Sequence, residues 1–310
     1  MNKKALICTL LATVLLPGCS KDEGSASQST DGRVALEATS GIQTRAYDNT
    51  WEAGDAIGIY MLDGNDVEEG NRKYTTGQKA ETGSFTAATG QTLYFPLDET
   101  EKRDFIAYYP YRETLAAGNV YAIDVTNQTP QKDIDLMGAA KVAGKDKNNP
   151  AVAFMFTHKL VKLVINIQAD GTSLLDADLA GTTVTITNQQ TAGTYNVVTG
   201  DVVTGGGATG GESPATEITL HTDKSEAEGL RAEGIVLPAE STENMELTFT
   251  VPGLSQTFRW DINSAEKSKQ FEAGSKYLYT ITIGKASVEV NSKVEDWTAG
   301  NEGGETGNAE

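Results

Sequence analysis

The stretch Ala153–Gln168 (AFMFTHKLVKLVINIQ) decides the fold, because its apolar residues alternate with a period of two and then change phase. Side chains of a β-strand point alternately to the two faces of a sheet. The apolar residues share one parity as far as Leu160 and the other parity after it: Phe154, Phe156 and Leu160, then Val161, Leu163, Ile165 and Ile167. Such a shift would turn every later side chain to the opposite face of the sheet. The pattern therefore predicts strands with a bulge or break near Leu160.

The same alternation recurs along most of the chain, whereas long amphipathic helical patterns are missing. The run Phe105–Tyr109 (FIAYY) is apolar throughout and ends at Pro110, as is typical of a buried strand. Turn-forming residues, such as those of Asp63–Asp66, separate the runs. Many short strands joined by Gly-rich turns predict an all-β chain of β-sandwiches with few short helices.

The chain has 310 residues, a length that predicts about two domains. The stretch Lys141–Pro150 (KVAGKDKNNP) is polar and typical of a loop, so we place the domain boundary there. The two predicted sandwiches cover residues 33–145 and 146–297. The tail, residues 298–310, is rich in Gly, Glu and Asn and is predicted to be disordered.

Charge and composition exclude several function classes. The chain carries 43 acidic and 25 basic residues, a net charge of −18, and only two histidines. Nucleic-acid binding needs clustered Lys and Arg, and docking on anionic lipid by charge alone also needs basic residues. Scarce histidine argues against His-rich metal sites and His-based nucleophilic triads. We therefore predict no nucleic-acid partner, no metal and no cofactor.

No motif in the sequence indicates catalysis. The glycines of Gly205–Gly211 precede Glu, Ser and Pro rather than a helix start with Lys, so they indicate a loop and not a phosphate cradle. The acidic loop Asp63–Glu69 has Val and Glu where an EF-hand needs an oxygen ligand and Gly. His158 stands among apolar residues, which favours a packed, hydrogen-bonded histidine, and His221 has no evident partner. We predict that the protein is not an enzyme.

The first residues are typical of an export signal. Lys3 and Lys4 precede an uncharged apolar run that is too short to cross a bilayer. The run ends in Leu-Pro-Gly-Cys19, which resembles a bacterial lipoprotein box, so residues 1–18 are predicted to be removed and Cys19 to be lipidated. Residues 19–32 form a predicted flexible linker. Its beginning, Ser20–Glu23, resembles the surface-export signal of Bacteroidota lipoproteins and predicts a place on the outer membrane.

Several blocks, spread over most of the chain, together resemble the fimbrillin family of Bacteroidota. In chain order they are Thr44-Arg45-Ala46, Trp51–Met61, Tyr94–Pro96, Asp104–Pro110, Phe154–Leu163, Gly274–Tyr279 and Asp296-Trp297. The resemblance implies two tandem transthyretin-like β-sandwich domains, in agreement with the strand pattern. It also implies a pilus subunit that is delivered as a surface lipoprotein.

The resemblance further implies maturation by an arginine-specific protease, with cleavage after Arg45 and Ala46 as the new N-terminus. The sequence before this bond alternates as a strand does, with Val34, Leu36 and Ala38 on one face. Removing residues 33–45 from a sheet would expose apolar pockets and unpaired backbone groups. An open edge of that kind invites a strand from another chain, so other fimbrillin subunits are the predicted partners.

The tail bears on the position of the subunit in the fibre. Stalk-forming family members carry a C-terminal extension that serves as donor strand, but residues 298–310 contain no Val, Ile, Leu, Phe, Tyr or Trp. This favours a tip or terminal subunit over a stalk repeat. One alternative is a monomeric surface lipoprotein that binds host or dietary glycan, and a weaker one is a carboxylate hydrolase. The sequence predicts no particular adhesion target.

Overall fold

The computed structural model describes residues 32–43, 50–205, 216–225, 229–254, 257–285, 288–296 and 305–309. Within these ranges the chain is all-β, and its only helices are 3-10 turns of three or four residues. The turns are Gln131–Asp133, Asp176–Leu179, Ile262–Ser264 and Glu266–Ser268. The prediction of an all-β chain with few short helices is confirmed. No helix in the described part has the length and apolarity that a membrane crossing requires.

The strands are numbered in chain order. The first ten are β1 Glu37–Ile42, β2 Ala56–Asp63, β3 Asp66–Thr76, β4 Thr82–Ala87, β5 Arg103–Tyr109, β6 Val120–Asp124, β7 Met137–Ala139, β8 Val142–Lys145, β9 Ala151–His158 and β10 Val161–Ala169. The others are β11 Thr183–Gln189, β12 Ala192–Asn196, β13 Val202–Thr204, β14 Thr216–Thr219, β15 His221–Ser225, β16 Gly229–Val236, β17 Glu246–Thr250, β18 Thr257–Asp261, β19 Ser275–Ile283, β20 Val288–Asp296 and β21 Glu305–Ala309.

The first sheet closes on itself. Its strands follow the order β2-β3-β4-β1-β9-β7-β5, and β5 also pairs with β2, so seven strands form a ring to which β8 is added at β5. A closed sheet leaves no strand of the ring with a free row of backbone groups. The other strands form sheets of six (β15-β16-β10-β19-β20-β21), four (β14-β11-β17-β18) and three (β13-β12-β6). Two tandem transthyretin-like sandwiches stay a prediction.

The predicted break near Leu160 is confirmed. Strand β9 ends at His158 in the closed sheet, and β10 begins at Val161 in the six-stranded sheet. Phe154 and Phe156 pack in the core of the closed sheet, whereas Leu160 already belongs to the second core. The change of phase therefore marks the point at which the chain leaves one core for the other.

The strand pairing does not follow the domain boundary predicted between residues 145 and 146. Strand β9 lies beyond that boundary but pairs with β1 and β7, and β6 lies before it but pairs with β12. The polar stretch Lys141–Pro150 instead contains β8 and the short connection to β9. A polar segment shows where the chain meets solvent, but backbone pairing decides which sheet a strand joins.

Strands β2 and β5 are buried on both faces and separate the two cores. Ile57, Ile59 and Met61 of β2 pack inside the closed sheet, whereas Tyr60 and Leu62 pack in the second core. The residues of β5 divide in the same way, with Phe105, Ala107 and Tyr109 inside and Ile106 and Tyr108 outside. The two cores therefore share these two strands, which explains why both are apolar on both parities.

The structure differs from the disorder predicted for residues 298–310 at the five residues of β21. Glu305–Ala309 pair with β20 in antiparallel register, for example Ser292 opposite Glu305 and Val288 opposite Ala309. An antiparallel ladder joins backbone N–H and C=O groups, so it does not require apolar side chains. For this reason a polar composition was a poor guide to the pairing of this segment.

We expect the two cores to unfold in one transition, because they share β2 and β5. Trp51 is buried in the first core and Trp260 in the second. In each of two single-tryptophan variants, W260F/W297F and W51F/W297F, the urea midpoint measured by fluorescence should therefore equal the midpoint measured by far-UV circular dichroism on the same variant. A fluorescence midpoint that differs from the circular dichroism midpoint within one variant would contradict the coupling.

Candidate functional site

The first described segment lies as an inserted strand in the closed sheet. Strand β1 pairs antiparallel with β4 and parallel with β9, so that Ala38 lies between Phe85 and Val152. Parallel neighbours cannot be joined by a tight hairpin, and here β1 and β9 are separated by the chain from Gln43 to Pro150. Strands β1 and β9 therefore do not form a hairpin, although they are neighbours in the sheet.

Main-chain hydrogen bonds continue beyond both ends of β1. Before it, the Leu36 N–H donates to Leu93 O (2.9 Å) and the Phe95 N–H donates to Val34 O (3.0 Å). After it, the Gln43 N–H donates to the carbonyl oxygen of Phe156 (2.8 Å). The segment from Val34 to Gln43 is thus held along its whole length by backbone groups, which carry no sequence information.

The structure places all three residues of the predicted removable strand in the core of the closed sheet. Val34, Leu36 and Ala38 are 8%, 6% and 4% exposed and belong to the same core cluster. The strand itself begins later than its alternation suggests, because Ala35 forms only an isolated bridge with Tyr94 and the regular ladder starts at Glu37. Removal of the segment stays a prediction.

Large aromatic side chains form the groove that holds β1, the first-strand groove. The Trp51 ring makes edge-on contacts with Phe85, Tyr109 and Phe156, at centroid distances of 5.1, 5.4 and 5.3 Å. Its Nε1 donates a hydrogen bond to Ser40 O (3.3 Å), and this bond ties the indole to β1. The strand alternation does not identify Trp51 as a site residue. Trp51 belongs only to the block Trp51–Met61 that resembles fimbrillins.

The first-strand groove is narrow near Ser40. Ser40 lies opposite Gly83 of β4, where an added Cβ would come within 2.7 Å of the Phe85 ring and 3.0 Å of the Trp51 ring. On the other side Ser40 lies beside Phe154 of β9. Ala38 lies beside Phe85, and Ser40 lies beside Phe154 and the crowded position of Gly83, so the groove accepts small side chains at Ala38 and Ser40.

Ser40 is an imperfect occupant of this position. Its side chain is buried, yet its Oγ has no hydrogen-bond partner among the described residues. A buried polar atom without a partner costs about 1–3 kcal/mol of desolvation. The native strand therefore fills the first-strand groove at less than the best attainable stability.

Two ionisable groups beside the groove have pKa values shifted by burial. Burial raises the pKa of Asp55, although its carboxylate accepts hydrogen bonds from the Glu52 N–H (2.8 Å) and the Tyr109 hydroxyl (3.4 Å). Burial also raises the pKa of Tyr74 to about 12, and its Oη accepts a hydrogen bond from the Leu93 N–H (2.9 Å). Both groups fix the chain around the groove through hydrogen bonds to backbone N–H groups.

The histidines have structural contacts. His158 is buried, with Nδ1 2.7 Å from Asp135 Oδ1, so the prediction of a packed, hydrogen-bonded histidine is confirmed. His221 lies 3.0 Å from Asp223 Oδ2 and 3.2 Å from Thr129 Oγ1, two partners that the sequence did not reveal. In the described part of the chain no group of three His, Cys, Asp or Glu could hold a metal ion.

Three predicted site residues lie outside the described residues: the lipidation site Cys19 and the cleavage site Arg45-Ala46. The cleavage site nevertheless falls between two anchored points. Gln43 is bonded to Phe156, and Trp51 exchanges two main-chain hydrogen bonds with Ala80, at 2.9 and 3.0 Å. The predicted cut would therefore separate β1 from the rest of the chain without touching a described strand.

The chain is similar to known proteins along most of its length. The sequence profile described as fimbrillin-like matches residues 44–297. A Bacteroides uniformis protein named as a candidate fimbrium subunit, Fim1C, is 72% identical over the whole of both chains.

Solved structures agree with the observed fold. The crystal structure of a candidate cell adhesion protein from Bacteroides uniformis is 70% identical, covers 87% of this chain and all of its own, and has a TM-score of 0.79. Another candidate cell adhesion protein, from Bacteroides ovatus, shares the fold at 22% identity and a TM-score of 0.69, covering 87% of this chain and 99% of its own.

We expect Ser40→Ala to stabilise the full chain by about 1 kcal/mol, because it removes the unpartnered hydroxyl without changing the fit of the strand. Urea denaturation measures the change. Ser84→Ala is the matched control, since Ser84 is exposed on the neighbouring strand β4 and should leave the stability unchanged. A loss of stability in Ser40→Ala would contradict this account of the groove.

We expect Ser40→Leu to destabilise the chain by about 1–3 kcal/mol, because Ser40 is only 1% exposed and the larger side chain would overpack the core around it. Thr39→Leu tests the neighbouring position on the opposite, half-exposed face of β1 and should cost less. Thermal unfolding of the two variants provides the comparison. Equal losses would show that the groove is not narrow at Ser40.

Proposed function

This chain belongs to the fimbrillin-like family, and on that premise we propose that it is a subunit of a surface fimbrium that assembles by strand exchange. The observation that carries the proposal is the insertion of β1 between β4 and β9, which completes the closed sheet. The family is one of fimbrial structural subunits, and we propose a structural and adhesive role without catalysis.

The geometry of the first-strand groove supports exchange. If β1 leaves, β4 and β9 lose a partner along their facing edges, and rows of N–H and C=O groups become available. The side-chain pockets of Leu36 and Ala38 open at the same time. A strand of another subunit would restore both the backbone hydrogen bonds and the buried apolar contacts. Burial of the donor strand's apolar surface would stabilise the complex by about 25 cal/mol for each Å². The free-energy cost of ordering the donor strand reduces this gain.

Proteolysis would make this exchange irreversible. While Arg45 and Ala46 are joined, β1 is tethered beside its own groove at a high effective concentration, so an external strand competes poorly. Cleavage after Arg45 by an arginine-specific protease removes this tether. Strand β1 is then held only by hydrogen bonds and packing, including the imperfect contact at Ser40.

We further propose that the subunit reaches the cell surface as an outer-membrane lipoprotein anchored through Cys19. Several acyl chains can anchor an acidic protein stably, because each buried CH₂ contributes about 0.8 kcal/mol. Cleavage after Arg45 would detach the body from this anchor as well as from β1. Maturation and release from the membrane would thus be one event.

The composition of the tail supports a tip or terminal position. The first-strand groove takes apolar side chains at Val34 and Leu36, but residues 298–310 offer no large apolar residue to replace them. The subunit could therefore accept a donor strand more readily than it could supply one from its tail.

Limited proteolysis of the full chain with an arginine-specific protease tests the proposal. Mass spectrometry should detect a stable body that begins at Ala46. Arg45→Gln should abolish this product, whereas Arg33→Gln, on the same segment, should leave it unchanged. A body that keeps residues 33–45 after extended digestion would contradict the maturation step.

A second measurement tests exchange on the cleaved protein. A peptide of residues 33–43 should bind after the native segment has been displaced by mild urea, with a change in Trp51 fluorescence. The same peptide carrying Ala38→Asp should not bind, because it would place a charge in the apolar groove. If the cleaved body stays monomeric and takes up no peptide, the monomeric, glycan-binding lipoprotein becomes the better interpretation.

A further inference from the structure

A second cavity, which we call the β12 cleft, lies between the outer face of the closed sheet and β12 with the turn after it. Its volume is about 750 Å³, within the range of about 300–1,000 Å³ that is usual for small-molecule sites. The walls are mainly apolar: Leu62, Ile106, Ala139, Met155, Val197 and Val198. No lining residue is Asp or Glu, although the chain contains 43 of them.

Two polar side chains that line the β12 cleft approach each other, those of Lys159 and Tyr195. A Cβ added to Gly138 would overlap Tyr195 Oη and would lie 2.8 Å from Lys159 Cε. The phenol and the lysine therefore converge over a stretch of backbone that has no side chain. Both side chains line the cleft. An O–H donor and an ammonium donor in one place are suited to an oxyanion.

Lys159 differs from the other lysines nearby. The ammonium of Lys162 is paired with Glu233 (2.7 Å), and that of Lys141, at the rim of the cleft, lies 3.4 Å from Asp104. Among the described residues no hydrogen bond or ion pair is found for Lys159 Nζ or for Tyr195 Oη. Burial lowers the pKa of Lys159, and no neighbouring acid opposes this effect.

A half-buried cation without a partner is costly, because desolvation is not offset by a nearby opposite charge. An anion bound in the cleft would supply this charge. An anion without an apolar part would leave the walls formed by Leu62, Ile106 and Val198 unused. A neutral apolar molecule would fill the walls but leave Lys159 without a counterion. A ligand with both an anionic group and an apolar body would pair with Lys159 and also contact the apolar walls.

We propose that the β12 cleft binds a small amphipathic carboxylate, with its carboxylate on Lys159 and Tyr195 and its apolar body against Leu62, Ile106 and Val198. Of the inserted segment Val34–Gln43, only Gln43 lines the β12 cleft, whereas Val34, Leu36, Ala38 and Ser40, which fill the first-strand groove, do not. Because cleavage after Arg45 would release Gln43 with β1, the site is examined in the uncleaved chain.

Calorimetric titration of the full chain with octanoate and with octan-1-ol tests the site. We expect saturable binding of one octanoate per chain, with octan-1-ol about tenfold weaker or more because it lacks the charge-assisted hydrogen bonds. Lys159→Met should weaken octanoate by about tenfold or more and leave octan-1-ol unchanged. Lys102→Met, on an exposed lysine outside the cleft, should change neither affinity.

A variant that fills the β12 cleft tests the site without changing Lys159. Ala140→Trp, at the exposed rim, should block both probes while the thermal unfolding midpoint stays within a few degrees of the parent. Three results would overturn the proposal: no saturable octanoate binding, equal affinity for octanoate and octan-1-ol, or unchanged octanoate affinity in Lys159→Met. None of these results bears on cleavage after Arg45, so the two proposals fail separately.

Discussion

The closed sheet of this protein depends on one insertion, that of β1 between β4 and β9. Backbone hydrogen bonds hold this strand on both sides, and Leu36 and Ala38 fill the core beneath it. Without β1 the ring of seven strands opens and two of its members become edges. An edge strand is reactive toward any chain that can add a strand. The same contact that completes the fold is therefore the contact that a neighbouring subunit could replace.

The division of the core limits the consequences of opening this groove. Strands β2 and β5 separate an inner core that contains β1 from a second core built on β10 and β19. The second core contains none of the side chains of the first segment. A subunit of this kind can offer an open groove while a large part of its apolar surface stays buried. This arrangement fits a structural subunit whose body must persist in a fibre.

The first-strand groove and the β12 cleft bind their occupants through different interactions. The groove binds through backbone ladders and apolar fit, which tolerate many sequences as long as small residues occupy the narrow positions. The cleft offers a charged donor, and its selectivity comes from Lys159 and Tyr195. A net charge of −18 disfavours the approach of anions at long range, but this field is screened over about 8 Å in physiological salt. Inside the cleft the ammonium of Lys159 attracts the anion, whereas the negative charge of Asp201, which acts on Tyr195, opposes it.

The sequence by itself determined the strand content, the break near Leu160 and the apolar face formed by Val34, Leu36 and Ala38. These follow from local periodicity, because a strand exposes its two faces on alternate residues.

Only the tertiary structure decided that β9 joins the first sheet, that β21 pairs with β20, and that Trp51 and Ser40 meet in the groove. Pairing partners depend on backbone groups, which are the same in every residue except proline, and therefore leave no local signature. The convergence of Lys159 and Tyr195 over Gly138 is likewise invisible in the sequence, because it joins residues of three strands or turns that only the fold brings together.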